Sequence, residues 1–255
     1  MGIIGKCNKI KYIMATVITI NAEKGGVGKS TLAANLSVCL SEKKKKVLLI
    51  DLDGQTTVTK GFGVEGKTVF DALENGVIET QKTDFGVDVL AGDGGVFLQA
   101  AAQSVDCLDG IFSQIRDKYD YIVLDTAPSL TPLNISAYCN SDYILVPALY
   151  ELGALDGVRG VEDNLKNVKE NFNCHAELLG ISLQRYNSRR NIHKIINQLF
   201  RDEFKDEILN TIIPECTAVS ESYLMRQPVV VYSPKCKASE AYRNLTKEIV
   251  KRIKK

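Results

Sequence analysis

The chain has 255 residues, 45% of them hydrophobic and 25% charged, with a formal net charge of +1. It is long and apolar enough to bury one substantial core, which excludes a disordered chain, and the near-neutral balance excludes a globally basic nucleic-acid binder. No apolar run approaches the ~20 residues that cross a bilayer, and the seven cysteines form no Cys-x-x-Cys pair, which favours neither a disulfide framework nor a zinc site and makes a reducing cytoplasm the expected compartment.

Residues 1–13, rich in Lys and Ile, stand outside the pattern that follows and read as an N-terminal extension. Residues 14–255 are expected to form one domain. From residue 16, short β-branched runs alternate with stretches of helical length, the signature of an α/β fold with a mostly parallel, doubly wound sheet covered by helices on both faces. Strands are expected over residues 17–21, 47–51, 87–91, 121–125, 143–147, 178–183 and 208–213, and helices over 32–41, 153–171 and 192–204. The Gly-rich places at 61–63 and 92–95 read as turns inside the same domain.

Between the first strand and the first helix lies Glu23-Lys24-Gly25-Gly26-Val27-Gly28-Lys29-Ser30-Thr31, the setting a phosphate-binding loop requires. Glycines let successive backbone N–H groups converge on phosphate oxygens, and the following helix adds its positive N-terminal end. By position, Lys29 meets the β- and γ-phosphates, the Ser30 hydroxyl is the Mg²⁺ ligand, and Thr31 completes the cradle with Gly25, Gly26, Val27 and Gly28. The strict spacing would place its first Gly at Glu23, so the ordinary motif is not met. Two later runs end in carboxylates: Asp51-Leu52-Asp53-Gly54-Gln55 after the second strand, and Asp125-Thr126-Ala127-Pro128-Ser129-Leu130 after an apolar strand. The carboxyl edge of an open α/β sheet is where ligands bind.

The lysine at the head of the loop, Lys24, resembles the deviant phosphate-loop pattern of the ParA/MinD ATPase superfamily, and the match to short Soj-like partition ATPases runs from about residue 15 to the C-terminus. The resemblance implies ATP and Mg²⁺ as cofactors and a slow, partner-stimulated hydrolysis. It also implies a homodimer assembled by ATP, in which Lys24 reaches the partner copy's nucleotide. Asp53 matches the second Asp of the family's D-x-D-P-Q segment and would orient the attacking water, with Gly54 in place of the proline. Asp125 matches the acid of the switch segment, so Ser30, Asp53 and Asp125 are the expected metal set. Ile212-Ile213-Pro214 resembles the segment that contacts adenine, although Glu215-Cys216 stands where Arg-Asn is usual, and Asn187 is placed to read the base edge. Arg189, with Arg190 beside it, matches a segment that binds non-specific DNA. The implied partners are therefore DNA and a centromere-binding protein of the ParB/Spo0J kind, the implied role is DNA partitioning, and the implied location is the nucleoid. A cargo-positioning ATPase of the MinD kind, or one serving mobile-element transfer, is the alternative. The basic C-terminal segment 247–255 reads as a docked helix rather than a membrane anchor, because it lacks Phe, Leu or Trp.

Overall fold

A computed structural model describes residues 14–95 and 102–254. The extension expected at residues 1–13 lies outside them. In chain order the elements are β1 (Thr16–Ile20), α1 (Lys29–Ser41), β2 (Val47–Leu52), α2 (Thr57–Phe62), α3 (Val69–Asn75), β3 (Gln81–Lys82), β4 (Val87–Leu90), α4 (Asp109–Ile115), β5 (Tyr121–Thr126), α5 (Pro132–Cys139), β6 (Tyr143–Leu149), α6 (Gly153–Asn171), β7 (Glu177–Gln184), α7 (Asn191–Phe204), α8 (Thr217–Leu224), α9 (Val229–Tyr232) and α10 (Lys237–Ile253). The sheet order is β3-β4-β2-β5-β1-β6-β7, parallel throughout except for the β3–β4 pair.

Every residue of β2 and β5 is buried, because a parallel sheet covered on both faces leaves neither side of its strands wet. The pleat divides these residues between two layers. Ile18, Ile20, Val47, Leu49, Tyr121 and Val123 join α1, α9 and α10 in one core, whereas Val17, Leu48, Ile50, Leu52, Ile122 and Leu124 join α3, α4 and α5 in another. A third core packs β6 and β7 under α6 and α7 around Tyr138 and Phe200.

Three differences from the sequence expectation have local causes. The two-residue β3 was not expected, since Gln81-Lys82 carries no apolar alternation and pairs only at the edge, with Val89 and Asp88. The expected strand over 208–213 does not form. The segment keeps backbone bonds from Leu209 to Ile181 and from Ile213 to Leu183, but side chains from α10 take the neighbouring groups. Arg252 donates to the carbonyls of Leu179 and Ile208, and Glu248 accepts the N–H groups of Asn210 and Thr211. Finally, the first helix begins at Lys29 rather than residue 32, because its first turn is the end of the phosphate loop itself.

The C-terminal helix is docked, as expected. Tyr242, Leu245 and Ile249 of α10 are buried in the core shared with α1, and Val250 and Ile253 pack against it. The apolar side of this helix is therefore already covered.

Candidate nucleotide and metal site

The sheet order sets out the site. β1 lies between β5 and β6, so the loop leaving β1 has carboxylate-ended strands on one side and β6 and β7 on the other. Asp51 and Asp125 are register partners across β2 and β5, and Ile20 at the end of β1 pairs with Asp125. The carboxyl edge thus carries acids on the β2–β5 side and aromatic and polar groups on the β6–β7 side.

A cavity of about 770 Å³ opens at this edge, lined by Gly25 through Thr31, Asp53, Gln55 and Pro128 at one end and by Tyr150, Gln184, Arg185, His193 and Pro214 at the other. Gly26 and Gly28 take φ values of 76° and 98°, which side-chain-bearing residues adopt at a cost, and an added Cβ on either would meet nothing within 4 Å. What requires glycine there is backbone conformation, not crowding. At Gly54 the reverse holds: a Cβ would stand 2.4 Å from the Gly95 Cα. A bulkier residue at that position, proline included, would push the two loops apart.

Lys29 opens α1 and is 5% exposed. Burial lowers its pKa, and the carboxylates of Asp125 and Asp53 act against that. Asp51 is buried and accepts hydrogen bonds from the Thr59 N–H (2.8 Å), the Thr59 hydroxyl (2.7 Å) and the Asp53 N–H (3.2 Å). Burial pushes its carboxyl up to about 6 despite these donors. Asp125 is fully buried, and among the described residues neither carboxylate oxygen has a hydrogen-bond partner of ordinary length, the Ser30 hydroxyl being its neighbouring donor. Burial and the neighbouring Asp51 hold its carboxyl well above the usual range, with the Ser30 hydroxyl and Lys29 pulling the other way.

A buried, unpartnered carboxylate costs folding free energy unless a cation joins it. The unbonded Asp125 carboxylate, beside the Ser30 hydroxyl and the buried Asp53, fits a divalent cation. Among the described residues no three His, Cys, Asp or Glu side chains form a metal cluster; Mg²⁺ in nucleotide sites instead uses one or two carboxylates together with phosphate and water oxygens. The donor set present is of that kind. Asp125→Asn should accordingly stabilise the nucleotide-free protein by ~1 kcal/mol, a rise of about 2–4 °C in Tm, while weakening Mg²⁺-dependent nucleotide binding. The gain should be larger at pH 8 than at pH 5. A carboxyl whose folded pKa is raised subtracts stability as pH rises above the ordinary carboxylate range. Equal melting temperatures for the two proteins at pH 8 would contradict it.

Other expected site residues are distributed unevenly. Lys24 lies outside the cavity wall, exposed and paired with Glu151, which does line the cavity. Pro214 is on the wall. Asn187 is not: its amide donates to Glu215 at 2.7 Å and its carbonyl accepts the Arg189 N–H at 3.0 Å, so its side chain shapes the turn before α7. Arg190 faces the cavity, 3.8 Å from Glu215, whereas Arg189 stays exposed and off the wall.

Several residues with roles at the site gave no sequence signal. Asn21 donates to the Thr126 hydroxyl at 2.8 Å, tying the start of the phosphate loop to the end of β5. Asn134 donates to the carbonyls of Ala127 and Ser129, at 2.9 and 2.5 Å, and so fixes the loop that follows Asp125. At the far end His193 stacks on Tyr150 with centroids 5.1 Å apart, and its Nδ1 accepts the Asn187 N–H. The Tyr150 hydroxyl is buried on the cavity wall without a partner among the described residues, leaving a donor for a bound group. An Asn at a strand end is a weak cue alone; its meaning comes from the strand beside it.

Comparison with known proteins identifies the family. A family model described as an AAA domain matches residues 15–178. The sporulation initiation inhibitor protein Soj of Bacillus subtilis is 31% identical over 253 residues, covering 92% of this chain and 98% of that one. The chromosome partitioning protein ParA of Caulobacter vibrioides is 32% identical over 253 residues, covering 92% and 94%. Among solved structures, the septum site-determining protein MinD of Pyrococcus horikoshii complexed with Mg-ADP superposes with a TM-score of 0.78 at 27% identity, over 92% of this chain and 96% of that one. A putative plasmid partition protein of Borrelia burgdorferi bound to AMPPNP gives 0.77 at 25% identity, over 93% and 99%. With a phosphate loop, paired carboxylates and these relatives, the chain belongs to the AAA-domain family of P-loop ATPases, within its Soj- and ParA-type partitioning branch.

Proposed function

We propose that the chain is an ATP-driven switch for DNA partitioning: it pairs with a second copy when ATP and Mg²⁺ are bound, the pair holds DNA non-specifically, and hydrolysis releases both. The observation that carries this reading is the position of Lys24. It heads the phosphate loop yet stands outside its own cavity, and among the described residues its ammonium pairs with the exposed Glu151. Exposed ion pairs are worth ~0–1 kcal/mol, so Lys24 is readily released toward a nucleotide in a facing copy. A site completed by a second chain makes dimerisation depend on ATP.

Within one copy, the loop amides from Gly25 to Thr31 and the Lys29 ammonium would neutralise the phosphates, and Asp53 would accept a proton-bearing hydrogen bond from the attacking water. Mg²⁺, held by Ser30 with Asp125 and Asp53 behind it, would supply further charge neutralisation at the phosphates. The segment after Asp125, whose Pro128 lines the cavity, would sense the γ-phosphate. Phosphoryl transfer to water asks for positioning more than for a strong base, which suits slow turnover raised by a centromere-binding protein of the ParB/Spo0J kind. The names of the curated relatives support the partitioning role. A membrane-positioning role has less support: α10 is docked, and no helix among the described residues is long and apolar enough to cross a membrane.

For DNA the exposed Arg189 is the proposed phosphate contact. Arg190, turned toward the cavity and Glu215, is the weaker of the two assignments. Arg189→Glu replaces an attraction with a repulsion in each copy, so DNA retention by the ATP-bound dimer should fall roughly tenfold or more at low salt, with ATP affinity unchanged. Retention on a filter at two salt concentrations reads this directly. Unchanged retention would make the position a solvated face.

A further inference from the structure

The loop after β5 is held from beneath by two buried carboxamides. Asn21, just past β1, is 6% exposed, and Asn134, in the first turn of α5, is 1% exposed, whereas Pro128, Ser129 and Leu130 of the loop are exposed. Asn21 Nδ2 donates to the Thr126 hydroxyl at 2.8 Å and, at a longer 3.4 Å, to the Ala127 carbonyl. Asn134 Nδ2 donates to the same Ala127 carbonyl at 2.9 Å and to the Ser129 carbonyl at 2.5 Å. The Thr126 hydroxyl in turn donates to the Ile20 carbonyl at 2.9 Å. A continuous run of hydrogen bonds therefore crosses from the end of β1, over the end of β5, to the first turn of α5.

Both N–H groups of each amide are engaged, and the Ala127 carbonyl accepts from both sides with its two lone pairs. The Asn134 Oδ1 accepts the Thr131 hydroxyl at 3.3 Å, which fixes the direction in which its nitrogen faces. An exposed loop can take its hydrogen bonds from water, so its shape does not call for buried donors. Buried amides do call for partners, and here the loop carbonyls are those partners, so amides and loop specify one setting together. That setting matters because of where the loop stands. It leaves Asp125, its Pro128 lines the nucleotide cavity, and Asn21 lies three residues before Lys24 at the entry to the phosphate loop. Neither amide lines the cavity itself.

We propose that Asn21 and Asn134 are positioning residues for hydrolysis: together they clamp the Ala127 carbonyl and hold the loop after Asp125 in the setting in which it meets the γ-phosphate. The proposal rests on the reading of that loop as the γ-phosphate sensor. Each amide acts through the loop and touches no reacting atom. Two consequences separate this role from general support of the fold. ADP has no γ-phosphate, so loosening the clamp changes the ATP-bound state and spares the ADP-bound one. Both amides grip one carbonyl, so losing either frees the loop, and losing the second adds less than losing the first.

Asn134→Ala, Asn21→Ala and the double variant of the full chain would be compared with the unaltered chain. Phosphate release with Mg²⁺–ATP, titration with fluorescent ADP and ATP analogues, and melting temperature are the three readouts. Alanine suits the first turn of α5, so Asn134→Ala removes the donors without opposing the helix. The expected result is phosphate release slowed by roughly 10- to 100-fold in each single variant, up to the scale of a ~1 Å misplacement. Affinity for the ADP analogue should stay within a few-fold, the preference for the ATP analogue should fall, and the double variant should be only slightly slower than the slower single one. Phosphate release at the unaltered rate, equal losses of ADP and ATP affinity, or losses that multiply in the double variant overturn the proposal. If Asn134→Ala does not fold, Asn134→Ser, whose shorter side chain cannot span both carbonyls, is held to the same results. An unaltered chain that binds the two analogues equally sinks the sensor reading, and the phosphate-release rates still decide the positioning role. A preference for ATP that persists in every variant sinks the clamp alone.

Discussion

Lys29→Ala should lower nucleotide affinity by two to four orders of magnitude, as a titration with fluorescent ATP analogue would measure. The side chain is 5% exposed, lines the cavity and is attracted by the carboxylates of Asp125 and Asp53. Its removal deletes charge-assisted hydrogen bonds worth ~1.5–3 kcal/mol each, and two such bonds correspond to a ~100- to 10,000-fold change in affinity. It also leaves acids facing an incoming polyanion. The protein should stay folded, because Ala suits the first turn of α1 and the neighbouring carboxyls can take up protons. Affinity within a few-fold of the unaltered chain would remove Lys29 from the phosphate site.

The second large effect is on turnover. Asp53→Ala should leave ATP affinity within a few-fold and slow phosphate release by about 100-fold or more, the scale of losing a group that positions or deprotonates the attacking water. Asp53 is suited to that duty: it lines the cavity, is 9% exposed, and accepts the Gln55 N–H at 3.0 Å, which orients its carboxylate. Asp51, two residues earlier, is fully buried and committed to Thr59 and the Asp53 backbone. The two acids of one strand end therefore differ: Asp51 is taken up by protein donors, whereas Asp53 lines the cavity. Hydrolysis at the normal rate in Asp53→Ala would reassign the water-positioning group.

The phosphate loop could be read from sequence because its chemistry is local: consecutive residues 24–31 supply glycine conformations, amides, a cation and hydroxyls within one turn. The strands that carry Asp51 and Asp125 were legible for a related reason, since burial on both faces writes them as unbroken apolar runs. What places the two acids side by side is the sheet order, with β2 next to β5, and no single stretch of sequence contains that information. The same limit applies to Asn21, whose partner is 105 residues away, whereas the Asn134 bond to a carbonyl 7 residues earlier is local but carries no apolar or glycine signature. The base end was the least legible, because Asn187 and Arg190 lie in a turn whose side chains exchange directions through bonds to Glu215 and His193. The irregular 208–213 segment followed from guanidinium and carboxylate groups of α10, which periodicity cannot anticipate.

In the proposed switch, ATP builds a two-copy site through Lys24. Its most direct test is the light-scattering mass of the Asp53→Ala protein with Mg²⁺–ADP and with Mg²⁺–ATP, repeated in the Lys24→Ala background. The expected result is a monomer with ADP, a dimer with ATP, and a monomer in both nucleotides once Lys24 is gone. A monomer at saturating ATP, or a dimer that forms without regard to nucleotide or Lys24, would contradict it.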